Sequence, residues 1–352
     1  MLEAFTSQLA ASKHLTEEQV SRAVELLIDE AVPAVLKADF LCHLALKGET
    51  VGEIAAFARA LLEKSVPLPL DPETRASEIL DVCGTGGDRM NTFNISTTVA
   101  LICAAAGVAV AKHGNRAITS QAGSADVLEA LGIRVDLSPA EAARSLREHQ
   151  FAFFFAPNYH PAFKHIAAAR KLCAERGQRT IFNFLGPLLN PVRPSAQLVG
   201  VPCPELCEPM ARVLQSLGAR RAMVVCGKVM GTNDPQQQKY LDELSTLGSN
   251  TIAEFYQERG FATSELPAEQ FPLLLASLAD LLGGNREANA EIVRNLLEGE
   301  ERGPKRDAVL LNAAAALFVA DRAQSLAAGW DLAASVIDSG LAARKLEELT
   351  KG

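Results

Sequence analysis

Apolar positions in the first 64 residues recur at helical rather than strand spacing. Capping-box signatures, Thr16 followed by Gln19 and Thr50 followed by Glu53, stand ahead of two of the runs. Pro33 suits a first helical turn and Gly48 a helix stop. The pattern predicts about four short helices, too few for a large core of their own, so they must pack on something else. Pro67, Pro69 and Pro72 then enforce an extended connection across 65–72, which marks a domain boundary.

Beyond the boundary the period changes. Residues 78–83 read as a short buried strand, followed by a glycine-rich turn and a helix over about 94–106. Strands are predicted at 108–111, 151–156, 196–201 and 222–226. Helices are predicted at 123–131, from Ser138-Pro139 to about 149, at 161–175 and at 205–217. Such alternation implies a mostly parallel sheet covered on both faces. The tail from about 274 is Ala-rich and mainly helical. The expected organisation is a helical domain over 1–70, joined by helices from about 160–190, and an α/β domain over 75–352.

Composition supports this picture. The 352-residue chain is 48% apolar and only 5% aromatic, so its core must be built from Ala, Leu, Val and Ile, which favours helices on a sheet over a β-sandwich. With 34 basic and 42 acidic residues the net charge is −8, a poor balance for a general nucleic-acid binder. A local pocket of backbone N–H groups and a few cations can still hold one anionic small molecule. The seven cysteines lack regular spacing, which argues for free thiols in a reducing compartment and against structural zinc. The acidic start Met1-Leu2-Glu3 lacks the positive region of a signal peptide, and the longest apolar run, 99–111, is too short to span a bilayer. A soluble, cytoplasmic protein is expected, with no membrane partner.

Five stretches carry candidate chemistry. Gly84-Thr85-Gly86-Gly87-Asp88 ends the first strand, where glycines let backbone N–H groups approach a phosphate. It is neither a dinucleotide fingerprint, since Arg89 stands where the third glycine would be, nor a P-loop, which needs Gly-Lys-Ser/Thr. Asn94-Ile95-Ser96-Thr97 opens an apolar helix, where side-chain oxygens can cap while free N–H groups face an anion. Lys112-His113-Gly114-Asn115-Arg116, running on to Thr119-Ser120 and then Gly123-Ser124-Ala125-Asp126, supplies cations the chain lacks globally. Asn183-Phe184-Leu185-Gly186-Pro187-Leu188-Leu189-Asn190-Pro191 follows Arg170 and Arg179-Thr180. Finally Asp242-Glu243, beyond a long polar loop, offers adjacent carboxylates of the kind that hold Mg2+ while it keeps waters and substrate phosphates.

In this order, over about 81–245, the motifs resemble the anthranilate phosphoribosyltransferases of tryptophan biosynthesis. The resemblance implies the α/β class: a small N-terminal helical domain plus a larger α/β domain whose mostly parallel central sheet is flanked by helices. It also implies a homodimer and a Mg2+-dependent glycosyltransferase, with two ions as cofactor. The expected partners are phosphoribosyl pyrophosphate, whose phosphoribosyl group is transferred, and anthranilate, which receives it. By the same resemblance Gly84, Gly87, Asp88, Thr92, Asn94, Ile95, Ser96 and Thr97 hold the donor, and Ser124 adds a further donor contact. Lys112, His113, Gly114, Asn115, Arg116 and Ser120 form the basic loop, with Asn115 at an anthranilate position. Arg170 matches the arginine facing the aromatic acid, and Ser96, Asp242 and Glu243 match metal ligands. Asp88, Lys112 and Arg170 are the expected catalytic residues.

There are departures. The family usually shows His-Gly-Asp-Gly-Leu-Asp-Glu, whereas here Cys226-Gly227 is separated from Leu241-Asp242-Glu243 by an insertion, and Thr119 stands where Ser is usual. A pyrimidine nucleoside phosphorylase and a non-catalytic nucleic-acid-binding paralogue remain alternative readings.

Overall fold

In this computed structural model the described residues are 1–117, 121–229, 238–256 and 260–351. The chain opens with α1 (Leu2–Ala10), α2 (Glu17–Ile28), α3 (Ala34–Lys47) and α4 (Val51–Glu63). Both capping boxes form: the Thr16 hydroxyl accepts from Gln19 N–H at 3.2 Å, and that of Thr50 from Glu53 N–H at 3.1 Å. Gly48 ends α3 at φ +84°, a backbone conformation that favours glycine.

The α/β part then runs α5 (Pro72–Ala76), β1 (Ile79–Gly84), α6 (Ile95–Ala105), β2 (Ala109–Gly114), α7 (Ser124–Ala130), α8 (Pro139–His149) and β3 (Phe151–Phe155). It continues through α9 (Ala156–Tyr159), α10 (Ala167–Glu175), β4 (Ala196–Gly200), α11 (Cys207–Ser216), β5 (Arg221–Val229), β6 (Lys239–Leu241), β7 (Asn250–Tyr256) and β8 (Gly260–Leu266). It closes with α12 (Arg286–Glu298), α13 (Pro304–Val319), α14 (Leu326–Asp338) and α15 (Leu341–Lys351).

The strands form one sheet in the order β3-β2-β1-β4-β5-β7-β8, with β6 also on β5. From β3 to β5 every pairing is parallel, whereas β6, β7 and β8 join antiparallel. That antiparallel edge was not expected from the sequence. β8 is largely exposed, and its sequence carries little apolar alternation to read. The expected helical tail also starts later: the one helical turn in 271–285 is a 3₁₀ turn, Leu278–Leu281, before α12. Likewise, residues 161–175 split into a 3₁₀ turn, Pro161–His165, and α10.

Strand side chains alternate between two cores. Leu80, Val82, Val110, Leu198 and Val225 pack with α6, α7 and the C-terminal helices. On the other face Val199, Val201, Ala222 and Val224 share a core with the N-terminal helices, with α11, and with Ile166, Ala169, Cys173 and Ile181. The helical bundle therefore has no core of its own apart from the sheet and the 166–189 segment. Among the described residues no helix is long and apolar enough to cross a membrane.

One buried ion pair ties the bundle together. Glu53 accepts from Leu15 N–H at 2.9 Å, from Lys47 Nζ at 2.6 Å and from Thr50 N–H at 2.9 Å, with both charged side chains almost wholly buried. Burial pushes its carboxyl upward, but the Leu15 N–H, the Lys47 ammonium and the Thr50 groups together hold it below the usual carboxylate range. A depressed carboxylate adds stability above its unfolded pKa and loses it as pH falls through the folded value. Glu53→Ala is expected to cost about 3–5 kcal/mol at neutral pH, since it strands the Lys47 charge. The variant should also lose less stability on acidification than the parent, both read from urea midpoints as a function of pH.

Candidate active site

The parallel strands β1, β2 and β4 end at one edge of the sheet, where ligands of open α/β sheets bind. After β1 the chain turns through residues in left-handed backbone, Gly86 (φ 71°), Arg89 (58°) and Asn91 (56°). For the last two this conformation costs about 1–2 kcal/mol each, and the surroundings hold it. Gly283 N–H donates to the Asn91 carbonyl at 2.9 Å, Phe93 N–H to that of Leu281 at 3.0 Å, and Thr92 bridges Leu282. Asp88 accepts from Met90 N–H at 3.0 Å.

Asp242 reaches this loop from 157 positions away along the chain. Its Oδ2 accepts from Gly86 N–H at 2.6 Å and from the Thr85 hydroxyl at 3.3 Å, while its own N–H donates to Asp88 at 3.4 Å. The approach depends on missing side chains. A Cβ on Gly84 would sit 2.7 Å from Asp242 Oδ2, one on Gly227 would sit 2.5 Å from the Glu243 carbonyl oxygen, and one on Gly200 would overlap that of Asp242. Burial, then the Asp88 carboxylate, push the Asp242 carboxyl up to about 7, against the Gly86 N–H and the Thr85 hydroxyl. Glu243 is raised well above the carboxylate range by burial and Asp242, with the Lys112 ammonium and the Ser96 N–H opposing.

Among the described residues the Asn94 side chain makes no capping bond to α6. Its Nδ2 donates to the Ala122 carbonyl at 3.4 Å, and its Oδ1 accepts from Asn289 at 2.9 Å. Ile95 and Thr97 are buried, and among the described residues the Thr97 hydroxyl has no hydrogen-bond partner. Gly87 lies against Pro202, leaving only 3.3 Å for a Cβ.

Lys112 is buried rather than extended into an open loop. Its ammonium donates to the Val82 carbonyl at 2.7 Å and to Ser96 Oγ at 3.4 Å. Burial lowers its pKa, opposed by Asp81, Cys83 and Glu243. Arg116 is not an unpaired cation either: it pairs with Glu129 at 2.6 Å and Asp126 at 3.2 Å. Asn115 is exposed, and its carbonyl accepts from Ser124 Oγ at 3.4 Å. Gly114 packs against the Ser124 hydroxyl and Phe153 so tightly that a Cβ has no room. Ser120, with Thr119, lies outside the described residues, as does 230–237 of the expected insertion.

Buried His113 starts a line of rings. Its ring lies 5.6 Å from His160, which stacks on Phe163 at 5.1 Å, and Phe163 meets Phe182 at 5.7 Å. Arg170, exposed on α10, ends the line with its guanidinium 5.4 Å from the Phe182 ring centre. Burial and His160 push His113 down to about 3, so its imidazole is neutral at physiological pH.

The structure thus brings together the glycine loop, the start of α6, Lys112 and the acidic pair, with Arg170 connected through the ring line. Sequence reasoning missed Asp81 and the part played by Asn190. Asp81, pushed up to about 6 chiefly by burial, accepts from Asn190 at 2.8 Å and from His113 N–H at 3.4 Å. Asn190 also donates to the Ala111 carbonyl at 2.7 Å, joining β1 and β2 near their middles. A charged residue within the apolar run of β1 was the available signal. Among the described residues no three His, Cys, Asp or Glu side chains gather as a metal cage. Mg2+ needs none, since it is commonly held by one or two carboxylates plus waters and substrate phosphates.

Known proteins match this chain along its whole length. A glycosyl transferase family helical bundle domain matches residues 4–65, and a glycosyl transferase family a/b domain matches 76–343. The anthranilate phosphoribosyltransferase of Petrotoga mobilis is 43% identical, covering 100% of this chain and 96% of its own. That of Moorella thermoacetica is 47% identical, covering 99% and 97%. The chain belongs to the anthranilate phosphoribosyltransferase family. Within the family, the crystal structure of the Thermus thermophilus enzyme superposes with a TM-score of 0.86 at 41% identity, covering 99% of this chain and 98% of that one. The Saccharomyces cerevisiae enzyme in complex with PRPP and Mg reaches 0.84 at 26% identity, covering 99% and 97%. The fold class expected from the sequence is the family's own.

Backbone contact at Gly200 cannot relax as a flexible side chain would. Gly200→Ala is expected to lose about 3 kcal/mol or more, or to fail to fold. Gly186→Ala, with open space around it, should stay within about 1 kcal/mol of the parent, both measured by urea denaturation.

Proposed function

We propose that the protein transfers the phosphoribosyl group of phosphoribosyl pyrophosphate to anthranilate, giving phosphoribosyl-anthranilate and pyrophosphate in tryptophan biosynthesis. The observation that carries the reading is the meeting of the glycine loop with the acidic pair, Gly86 N–H on Asp242 at 2.6 Å. It occurs in a chain whose full-length relatives bear the corresponding enzyme name. Those relatives favour neither the nucleoside phosphorylase nor the nucleic-acid-binding alternative.

As pyrophosphate leaves, negative charge grows on its oxygens and the anomeric carbon becomes oxocarbenium-like, so stabilisation is chiefly electrostatic. Donor binding falls to Gly84, Gly87, Asp88, Thr92 and the segment from Asn94 to Thr97, with Ser124 beside them. Mg2+, two ions by this reading, would be held by Asp242, Glu243 and the Ser96 hydroxyl, and would neutralise diphosphate charge. The donor set fits: two adjacent carboxylates, their charged forms disfavoured by burial and by repulsion from Asp88 on Asp242 and from Asp242 on Glu243, would be relieved by a cation. Lys112 adds positive charge beside Ser96. Because the anthranilate amine is unprotonated at neutral pH, positioning outweighs proton abstraction and no general base is assigned. Arg170 receives the anthranilate carboxylate, with Asn115 orienting the ring. The active form is a cytoplasmic homodimer, and the units of the fold are 1–70 with 160–190, and 75–352.

Anthranilate fluorescence should fall when protein, phosphoribosyl pyrophosphate and Mg2+ are combined, and no change at any Mg2+ concentration would overturn the reading. Arg170→Ala is expected to raise the anthranilate KM about 10–100-fold, the loss of one charge-assisted contact, with kcat changed less than about threefold. An unchanged KM would remove the assigned role of Arg170.

A further inference from the structure

The acidic pair is held from a distant part of the chain. Asn312 lies in the middle of α13, fully buried in an otherwise apolar, Ala-rich stretch. Its Oδ1 accepts from Leu244 N–H at 2.9 Å, and its Nδ2 donates to the Leu244 carbonyl at 2.9 Å and to the Ala308 carbonyl of its own helix at 2.9 Å. Both amide hydrogens and the amide oxygen are thereby engaged, which fixes the rotamer. The Leu244 N–H belongs to the peptide group that leaves Glu243. On the next residue Asn250 does the corresponding work locally, accepting from Ser245 N–H at 2.6 Å and donating to its carbonyl at 3.1 Å. The acidic pair therefore sits between backbone packed on Gly84, Gly200 and Gly227 and a stretch clamped by two buried amides.

An amide inside a helix core is unfavourable by propensity and by desolvation. A strand-like pairing with Leu244 offsets that cost, and it joins the C-terminal helices to the site. We propose that Asn312 is a positioning residue for the reaction, which aims the Asp242 and Glu243 carboxylates by clamping the Leu244 backbone. The proposal rests on the reading of that pair as Mg2+ ligands.

The test uses the full-length protein with Mn2+ as a paramagnetic probe and inorganic pyrophosphate, free Mn2+ being counted by electron paramagnetic resonance. Asn312→Ala is expected to weaken Mn2+ binding about 10–100-fold, the usual effect of removing a residue that orients a ligand, with the anthranilate KM within about twofold of the parent. Asn312→Asp, which keeps the acceptor for Leu244 N–H, should recover part of the affinity. It carries the test if the alanine variant does not fold, being then expected to bind Mn2+ more weakly than the parent. Leu311→Ala, a buried change on the same helix, controls for general destabilisation: its urea midpoint should fall while Mn2+ affinity stays within about twofold. Parent-like Mn2+ affinity in the folded Asn312 variants, or an equal loss in Leu311→Ala, overturns the proposal alone. Absence of Mn2+ binding by the parent protein overturns the metal-ligand reading and the proposal with it.

Discussion

Two adjacent carboxylates set into the edge of a sheet repel each other and lose hydration, and neither effect is offset by their immediate neighbours in sequence. Much of the α/β domain around them answers that problem. Gly84, Gly200 and Gly227 let the acidic backbone come within contact distance of three strands. The Gly86 N–H, the Ser96 N–H at the start of α6 and the Lys112 ammonium supply positive potential from different elements. Compensation is incomplete, since both carboxyls remain above their ordinary range, and a remainder of unfavourable charge stays at the pair.

A second buried charge organises the neighbouring strands. Asp81 and Lys112 lie on β1 and β2 with their side chains inside the protein, and each is raised or lowered by burial and pulled back by the other. Asn190 completes the arrangement by donating to Asp81 and to the Ala111 carbonyl, so the loop bearing the Gly186-Pro187 turn is fastened to the same sheet edge. From there the line of rings beginning at His113 leads to Arg170 on a helix that shares its core with the N-terminal bundle. The sheet edge and α10 are thus connected through packed side chains.

The legible parts of the sequence were those in which the local pattern and the tertiary environment agree. Thr16 and Thr50 cap their helices as their spacing requires, and β1 to β5 stand close to where short apolar runs placed them. The hairpin of β7 and β8 was not legible because its outer strand is exposed along most of its length and shows no clean apolar alternation. Of the side-chain oxygens in 94–97 that could cap α6, that of Asn94 is instead taken by Asn289, 195 positions later. Arg116 reads as a cation available to a ligand until Glu129 and Asp126 on the next helix are seen to pair with it.

By itself the sequence determined the class of fold, the order of its motifs and the chemistry they offer, because helix caps, strand periodicity and glycine-rich turns are set by neighbours a few residues apart. Only the tertiary structure decided which groups share a site and in what electrostatic state. The depth of Lys112, the neutrality of His113 and the pairing of Asn312 with the Leu244 backbone all depend on contacts between segments far apart along the chain. Burial sets the energy of a charge or an amide, and burial belongs to the assembled chain.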